Sequence, residues 1–175
     1  MQLEFAKMQG LGNDFVVLDG VRQAVALTAE RIRALADRRF GVGCDQVLVV
    51  EPPRRAEADF RYRIYNADGG EVEQCGNGAR CVAAFIAAAG LSEAACLHLE
   101  TLGGLISVER QGGGKVAVDM GVPRLEGGEI PLAAEGEWVA GPVEAAGDTW
   151  PVTAVSMGNP HCVLEVEDAA TAPVD

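Results

Sequence analysis

The order of hydrophobic and polar positions predicts strands on both sides of one short apolar helix. Residues 16–18 and 47–50 are uninterrupted apolar runs, which are typical of buried strands. Residues 60–64 alternate apolar and charged side chains, as a half-buried strand does. Glycine pairs and triplets separate three further alternating segments, residues 97–101, 105–110 and 115–120. These last segments predict a meander of strands.

The first third of the chain predicts a polar loop and an outer helix. Residues 4–7 and 16–18 are the predicted strands on either side of a loop that contains Asn13 and Asp14. Thr28 is the predicted N-cap of an amphipathic helix that follows.

The apolar helix determines the predicted fold. Cys81 to Ala89 are nine apolar residues in a row, five of them alanine, the best helix former, and Gly90 is predicted to end the helix. A bilayer span needs about 20 apolar residues, so this helix is too short to cross a membrane. Because it has no polar face, we expect it to be buried inside a curled sheet. The predicted fold is α+β, a strand-rich, barrel-like lobe wrapped around a central buried helix at residues 76–90.

A change of composition predicts two regions. After residue 121 the sequence becomes rich in glycine, glutamate and alanine, and Trp138 and Trp150 are the expected core anchors there. We therefore predict a first lobe at residues 1–121 and the beginning of a second lobe at residues 122–175.

A short internal similarity suggests that the second lobe repeats the first. The segments 12–19 and 158–165 share glycine, asparagine, valine and leucine at matching positions, at an offset of 146 residues from Gly12 to Gly158. A match of this length also arises by chance between strand edges. If the repeat is real, the counterpart of Cys75 would lie beyond residue 175, and the chain would be a fragment.

Cys75 is the candidate for chemistry because it directly precedes the predicted helix. Gly76, Asn77 and Gly78 follow it, and free backbone N–H groups at a helix amino end favour an anion or a thiolate. Such a thiol could act as a nucleophile paired with His161, as a redox group, or as an acid and base toward carbon. The alternative is a cysteine that only packs, which is what we expect of Cys81 and Cys96. A lone thiol cannot invert a stereocentre, because a second group must deliver a proton from the opposite side.

Composition excludes several classes of partner. The formal net charge of −12, with no basic run, argues against nucleic acid and anionic membranes. Five cysteines without a C-x-x-C pair, and a start without a signal-peptide pattern, favour a reducing cytoplasm with free thiols. Two histidines without an H-x-x-x-H pattern argue against a bound metal, and the glycines do not form a nucleotide-binding G-x-G-x-x-G loop.

Four ordered motifs resemble diaminopimelate epimerase, a family of cofactor-independent amino-acid isomerases of lysine and peptidoglycan biosynthesis. The motifs are GLGNDF at residues 10–15, GCDQ at 43–46, NADG at 66–69 with QCGNGARC at 74–81, and GNPH at 158–161. The resemblance implies two lobes, each a strand-rich barrel around a helix, and interconversion of LL- and meso-2,6-diaminopimelate by two cysteines. The resemblance also implies that the protein uses no cofactor and binds a small amino acid as its substrate. A homodimer is compatible with the sequence.

The resemblance also assigns site residues. Cys75 corresponds to one of the two proton-transferring cysteines, and His161 is expected to tune the protonation of the thiols. The substrate-binding residues it implies are Asn13, Gln46, Asn66, Gly76, Asn77 and Asn159. Each asparagine or glutamine, taken alone, is also a common turn former.

The motif of the second cysteine, with its preceding Glu-Arg pair, has no counterpart in the 175 residues. We therefore expect the chain to be an amino-terminal portion that is inactive alone. The remaining alternatives are an isomerase of related fold acting on proline, hydroxyproline or another amino acid, a non-catalytic lobe that binds a second chain, and a thiol redox protein.

Overall fold

The computed structural model describes residues 3–145 and 147–172. The chain divides into two compact units, Met1–Met120 and Gly121–Asp175, which we call the first and the second unit. In the described residues, neither α-helix combines the length and the apolar character that crossing a bilayer requires.

The first unit is one seven-stranded sheet in which the strands lie side by side in chain order. Two parallel contacts, β2 with β3 and β4 with β5, interrupt the otherwise antiparallel pairing, and one helix bridges each of them. The elements are β1 (Phe5–Gly10), β2 (Asn13–Asp19), α1 (Ala29–Ala36), β3 (Gln46–Glu51), β4 (Phe60–Asn66), α2 (Gly76–Ala88), β5 (Cys96–Thr101), β6 (Gly104–Arg110) and β7 (Val116–Asp119). The three strands of the predicted meander, β5 to β7, are confirmed.

The uninterrupted apolar runs of β2 and β3 are explained by burial on both faces of the sheet. Phe15 and Leu48 pack on the concave face in the core around α2. Val16 and Val47, one residue away, pack on the opposite face in a second core with Ile32 of α1. Since successive side chains of a strand point to opposite faces, every position of these runs is apolar.

The two helices begin and end close to where the sequence predicts. The side chain of Thr28 accepts a hydrogen bond from the N–H of Arg31 at 3.3 Å, which confirms the predicted N-cap of α1. Helix α2 ends at Ala88, and Gly90 has the positive φ of 63° that suits a residue following a helix. The predicted range 76–90 therefore extends two residues too far.

Helix α2 lies inside the curled sheet and contacts β1, β2, β3, β4, β6 and β7. This confirms the predicted barrel-like fold around a central helix. The prediction that α2 is buried on every side was wrong, because Ala84 and Ala88 are exposed. Ala84 lines an opening of about 590 Å³ between β1 and the segment that leads into β7. Alanine carries little apolar surface, so it can face this opening at small cost.

The predicted loop between the first two strands is a two-residue hairpin turn. Strand β1 continues to Gly10 and β2 already begins at Asn13, with these two residues paired. Leu11 and Gly12 form the turn with φ of 55° and 85°. Two consecutive residues with positive φ match the turn type that suits the twist of a β-hairpin.

The second unit contains a three-stranded antiparallel sheet in the order β10, β9, β8. Its strands are β8 (Gly141–Ala145), β9 (Asp148–Ser156) and β10 (Pro160–Leu164), and a short 3-10 turn occurs at Gly127–Glu129. A second 3-10 turn, Gly112–Gly114, belongs to the first unit. Trp138 and Trp150 are only half-buried, whereas Ile130 and Val152 are buried, so the expectation that the tryptophans anchor the core was wrong.

Both segments of the internal similarity form the turn and the return strand of a hairpin. The first segment lies in β1–β2 and the second in β9–β10. This shared local structure agrees with a repeat, which stays a prediction.

Candidate active site

Cys75 is the N-cap residue of α2. Its backbone is extended, with φ of −147° and ψ of 112°, and its Sγ accepts a hydrogen bond from the N–H of Gly78 at 3.4 Å. Serine, threonine, aspartate and asparagine usually fill this position. Here a half-buried thiol fills it instead, so the sulfur lies at the positive end of the helix dipole.

Tyr62, in β4, packs against the first turn of α2. Its side chain is 1% exposed, and its hydroxyl donates a hydrogen bond to the carbonyl oxygen of Cys75 at 3.3 Å. Burial, and then the charges of Cys75 and Cys81, raise the pKa of Tyr62, so the hydroxyl stays protonated as a donor. A Cβ added at Gly78 would overlap this hydroxyl, which explains why a glycine occupies the position.

Gly76 and Asn77 form the beginning of the same turn. Backbone N–H groups of the first helical turn have no carbonyl partner within the helix, so they can bind an anion. The side-chain oxygen of Asn77 accepts a hydrogen bond from Arg80 at 2.7 Å. Gly10 of β1 packs against the carbonyl of Asn77, with only 3.2 Å between an added Cβ and that oxygen. The strand thus lies close against the helix start.

Asn13 is the predicted substrate-binding residue that lies against Cys75. Its Oδ1 is 3.9 Å from the Sγ of Cys75, within reach of a weak S–H hydrogen bond. Its Nδ2 donates to the carboxylate of Asp45 at 2.8 Å. The hairpin turn brings Asn13 to this place because β2 starts at this residue.

Gln46 and Asn66 form a second pair of amide side chains. They are paired residues of β3 and β4, and the Nε2 of Gln46 donates to the Oδ1 of Asn66 at 2.8 Å. The Oε1 of Gln46 is buried and has no hydrogen-bond partner within the described structure. An unpaired buried acceptor costs free energy, and a donor group of a ligand would remove that cost.

A charged network that the sequence pattern does not predict lies next to Asn13. Arg38 holds both carboxylate oxygens of Asp14 at 2.7 and 3.1 Å and one oxygen of Asp45 at 2.7 Å, and Lys7 binds Asp14 from the other side at 2.7 Å. The Arg38 side chain, followed by Lys7, holds the pKa of Asp14 far below its usual range. The N–H of Asp14 and the amide of Asn13 likewise lower the pKa of Asp45. One indication of this network was available in the sequence: Asp14 and Asp45 are direct neighbours of the predicted site residues Asn13 and Gln46.

Asn159 and His161 belong to the second unit. Asn159 lies in the turn between β9 and β10, and its carbonyl accepts a hydrogen bond from the N–H of Met157 at 3.2 Å. His161 is exposed in β10, where it pairs with Val155. Their roles in substrate binding and thiol protonation stay predictions.

The other cysteines differ from Cys75 in burial. Cys81 and Cys44 are buried, and burial raises the pKa of each thiol. Cys96 and Cys162 are exposed, so the expectation that Cys96 lies in the core was wrong. Within residues 3–145 and 147–172, no group of three or more His, Cys, Asp or Glu side chains is placed to hold a metal ion.

Two solved structures that share the fold are a hydroxyproline epimerase and a probable proline racemase. A hydroxyproline epimerase from Agrobacterium vitis with bound trans-4-hydroxy-L-proline superposes with a TM-score of 0.68 at 16% identity, over 92% of this chain and 51% of that chain. A probable proline racemase from Agrobacterium radiobacter K84 gives a TM-score of 0.67 at 16% identity, over 94% of this chain and 52% of that one. At these identities the similarity establishes the fold alone.

Sequence comparison identifies the family. The chain is 54% identical over 174 residues to diaminopimelate epimerase of Aromatoleum aromaticum, and 55% identical over 175 residues to that of Thioalkalivibrio sulfidiphilus. It covers 63% of the length of each relative, and each match spans 99% of this chain. The sequence model of the family described as diaminopimelate epimerase matches residues 5–126. The chain therefore belongs to the diaminopimelate epimerase family.

Proposed function

We propose that a protein carrying this chain interconverts LL- and meso-2,6-diaminopimelate by moving the proton of one α-carbon, without a cofactor. The observation that carries the proposal is the position of Cys75, a thiol that caps a helix amino end beside the side chain of Asn13. Identity of 54% to a diaminopimelate epimerase favours this substrate over proline and hydroxyproline, since the structures of those enzymes match at 16% identity.

Cys75 acts as the acid or base on one face of the substrate. As a thiolate it removes the α-proton, and the electron pair of the broken C–H bond passes into the adjacent carboxylate. A second thiol on the opposite face then donates a proton to the same carbon, which inverts the centre. In the reverse direction the two groups exchange roles. We propose that the second cysteine comes from the part of the family's length that the 175 residues do not cover.

The start of α2 stabilises the charge that develops on the substrate carboxylate. The free N–H groups of Gly76 and Asn77 can bind the carboxylate, and a well-placed donor of this kind is worth about 3 to 4 kcal/mol in the transition state. Tyr62 and Gly78 hold this turn in place, so the donors need little reorganisation during the reaction.

The remaining amides contribute to substrate binding. Gln46 and Asn66 would contact the substrate beside Asn13, and the unpaired Oε1 of Gln46 would accept a hydrogen bond from an ammonium group. Asn159 would complete substrate binding and His161 would tune the thiol protonation. The reaction would serve lysine and peptidoglycan synthesis in the cytoplasm, in a protein that can form a homodimer.

Isotope exchange with a set of substrates tests this proposal. A full-length protein carrying this chain is incubated in D2O with LL-diaminopimelate, L-proline or trans-4-hydroxy-L-proline, and deuterium at the α-carbon is measured by mass spectrometry. We expect rapid incorporation into diaminopimelate alone. Faster exchange of proline or hydroxyproline would assign the protein to the related isomerases, and no exchange of any amino acid would favour a binding role.

The isolated 175-residue chain should not turn over diaminopimelate, because only one proton-transferring thiol is present. The same assay on the purified chain checks this expectation. Inversion of the α-centre by the chain alone would contradict the two-cysteine mechanism.

A further inference from the structure

Asp45 contacts the side-chain amide of Asn13, and this amide faces Cys75. Its Oδ2 accepts hydrogen bonds from the side-chain Nδ2 of Asn13 at 2.8 Å and from the backbone N–H of Asp14 at 3.0 Å. The other end of the Asn13 amide, Oδ1, is 3.9 Å from the Sγ of Cys75. Asn13 thus spans the distance between a carboxylate and the thiol.

A carboxylate permits only one orientation of this amide. An ionised carboxylate accepts hydrogen bonds and cannot donate them, whereas an asparagine amide has a donor end and an acceptor end. If the Asn13 amide were turned over, its Oδ1 would lie about where Nδ2 now meets Asp45, and two acceptors would face each other without a proton. The carboxylate therefore directs the NH2 group away from Cys75 and the carbonyl oxygen toward it.

The carboxylate of Asp45 is itself held in place. Arg38 donates to its Oδ1 at 2.7 Å and also binds both oxygens of Asp14. The backbone N–H of Asp45 donates to Asp14 at 3.0 Å, so the two aspartates are linked in both directions. Lys7, from β1, holds Asp14 at 2.7 Å. These bonds join β1, the start of β2 and the segment before β3, and they limit rotation of the Asp45 side chain.

We propose that Asp45 is a positioning residue that fixes Asn13 with its carbonyl oxygen toward Cys75, so that Asn13 acts as an acceptor in the site. An acceptor at this place binds a donor group, either the S–H of Cys75 or the ammonium group next to the substrate α-carbon. The catalytic part of this inference rests on the proposed function, whereas the orientation of Asn13 does not.

A direct test observes the Asn13 amide by NMR in 15N-labelled protein. We expect the two Nδ2 protons to differ in solvent exchange, with one proton protected by Asp45. Asp45→Ala should remove the protection, because alanine offers no acceptor to Nδ2. Asp37→Ala is the matched control, because Asp37 also accepts two backbone hydrogen bonds, from Arg39 and Phe40, but makes no bond to Asn13 in the described structure. Unprotected Asn13 protons in the wild-type protein would overturn the proposal, whatever the enzyme's substrate is.

A double-mutant cycle tests the catalytic consequence in a full-length protein. We expect Asp45→Ala to lower kcat/KM for diaminopimelate by about 10- to 100-fold, because misplacement of a contacting group by about 1 Å can cost that much. In an Asn13→Ala background the same change should cost less than about twofold, since its target is absent. An equal loss in both backgrounds would show that Asp45 supports folding and does not act by positioning Asn13. That result would overturn the proposal.

Discussion

The amino end and the middle of α2 differ in what their residues contact. At the amino end, Cys75 and Gly78 meet polar groups, namely the side chains of Asn13 and Tyr62. In the middle, Val82 and Ile86 are fully buried in the apolar core of the curled sheet. The middle holds the helix in the lobe, and the amino end presents N–H groups and a thiol.

One helix can therefore separate stability from chemistry along its length. Changes in the apolar middle should lower stability through lost packing. Changes at the amino end should affect the reaction without much loss of stability, except where the backbone makes a close approach. The following variants test that division.

The largest expected loss of stability comes from Ile86→Ala. Ile86 is 0% exposed, and truncating a buried isoleucine to alanine costs about 2 to 5 kcal/mol of unfolding free energy. Urea denaturation measures the loss. Ala84→Ser on the exposed side of the same helix is the control and should change stability by less than about 0.5 kcal/mol. A cost below about 1 kcal/mol for Ile86→Ala would show that the middle of α2 does not hold the lobe together.

Gly78→Ala should cost about 1 to 3 kcal/mol, because the new methyl group would overlap the Tyr62 hydroxyl. Alanine is the better helix former, so only the steric conflict opposes this change. Tyr62→Phe removes the hydroxyl and should recover a large part of the loss when the two changes are combined. Thermal and urea unfolding of the four proteins measure the coupling. Additive effects would show that Tyr62 is not the obstacle.

A smaller effect concerns the segment that leads into Cys75. Arg63 binds Glu71 through two hydrogen bonds of 2.7 and 2.8 Å and thereby lowers the pKa of Glu71 below its ordinary value of 4.5. A carboxylate with a lowered folded-state pKa stabilises the fold above pH 4.5, and this contribution is lost as the pH falls through the folded value. Unfolding free energy should therefore decrease on acidification from about pH 5 to 3, by about 1 kcal/mol or less from this pair.

Glu71→Gln should make the acid dependence of stability shallower, as measured by urea denaturation at several pH values. Glu57→Gln, at an exposed position, is the control and should leave the dependence almost unchanged. If the unfolding free energy of Glu71→Gln depended on pH as steeply as that of the wild type, the pair of Glu71 and Arg63 would not contribute to the acid dependence of stability.

The elements were predictable where local pattern and burial agree. The apolar runs of β2 and β3 require burial on both faces, and the alanine-rich run of α2 requires a small helix in a closed space. The position of Cys75 at the start of α2 was predictable because glycines follow this thiol directly in the sequence. The close approach of Tyr62 to Gly78 explains one of these glycines.

The missed features depend on contacts between distant residues. The bonds of Asp45 to Asn13 and of Arg38 to Asp14 join positions that are 32 and 24 residues apart, and no local pattern encodes them. The hairpin turn was mistaken for a longer loop because Asn13 and Asp14 are polar residues that occur in both settings. Exposure of Ala84 follows from an opening beside α2, which depends on how far the sheet curls.

We propose above that Cys75, at the amino end of α2, transfers the α-proton. The most direct measurement is deuterium incorporation into diaminopimelate in D2O by full-length protein carrying Cys75→Ala, compared with Cys81→Ala in the same helix. We expect Cys75→Ala to abolish incorporation while its unfolding free energy stays near that of the wild type, and Cys81→Ala to retain exchange. Incorporation at the wild-type rate by Cys75→Ala would show that Cys75 does not transfer the α-proton.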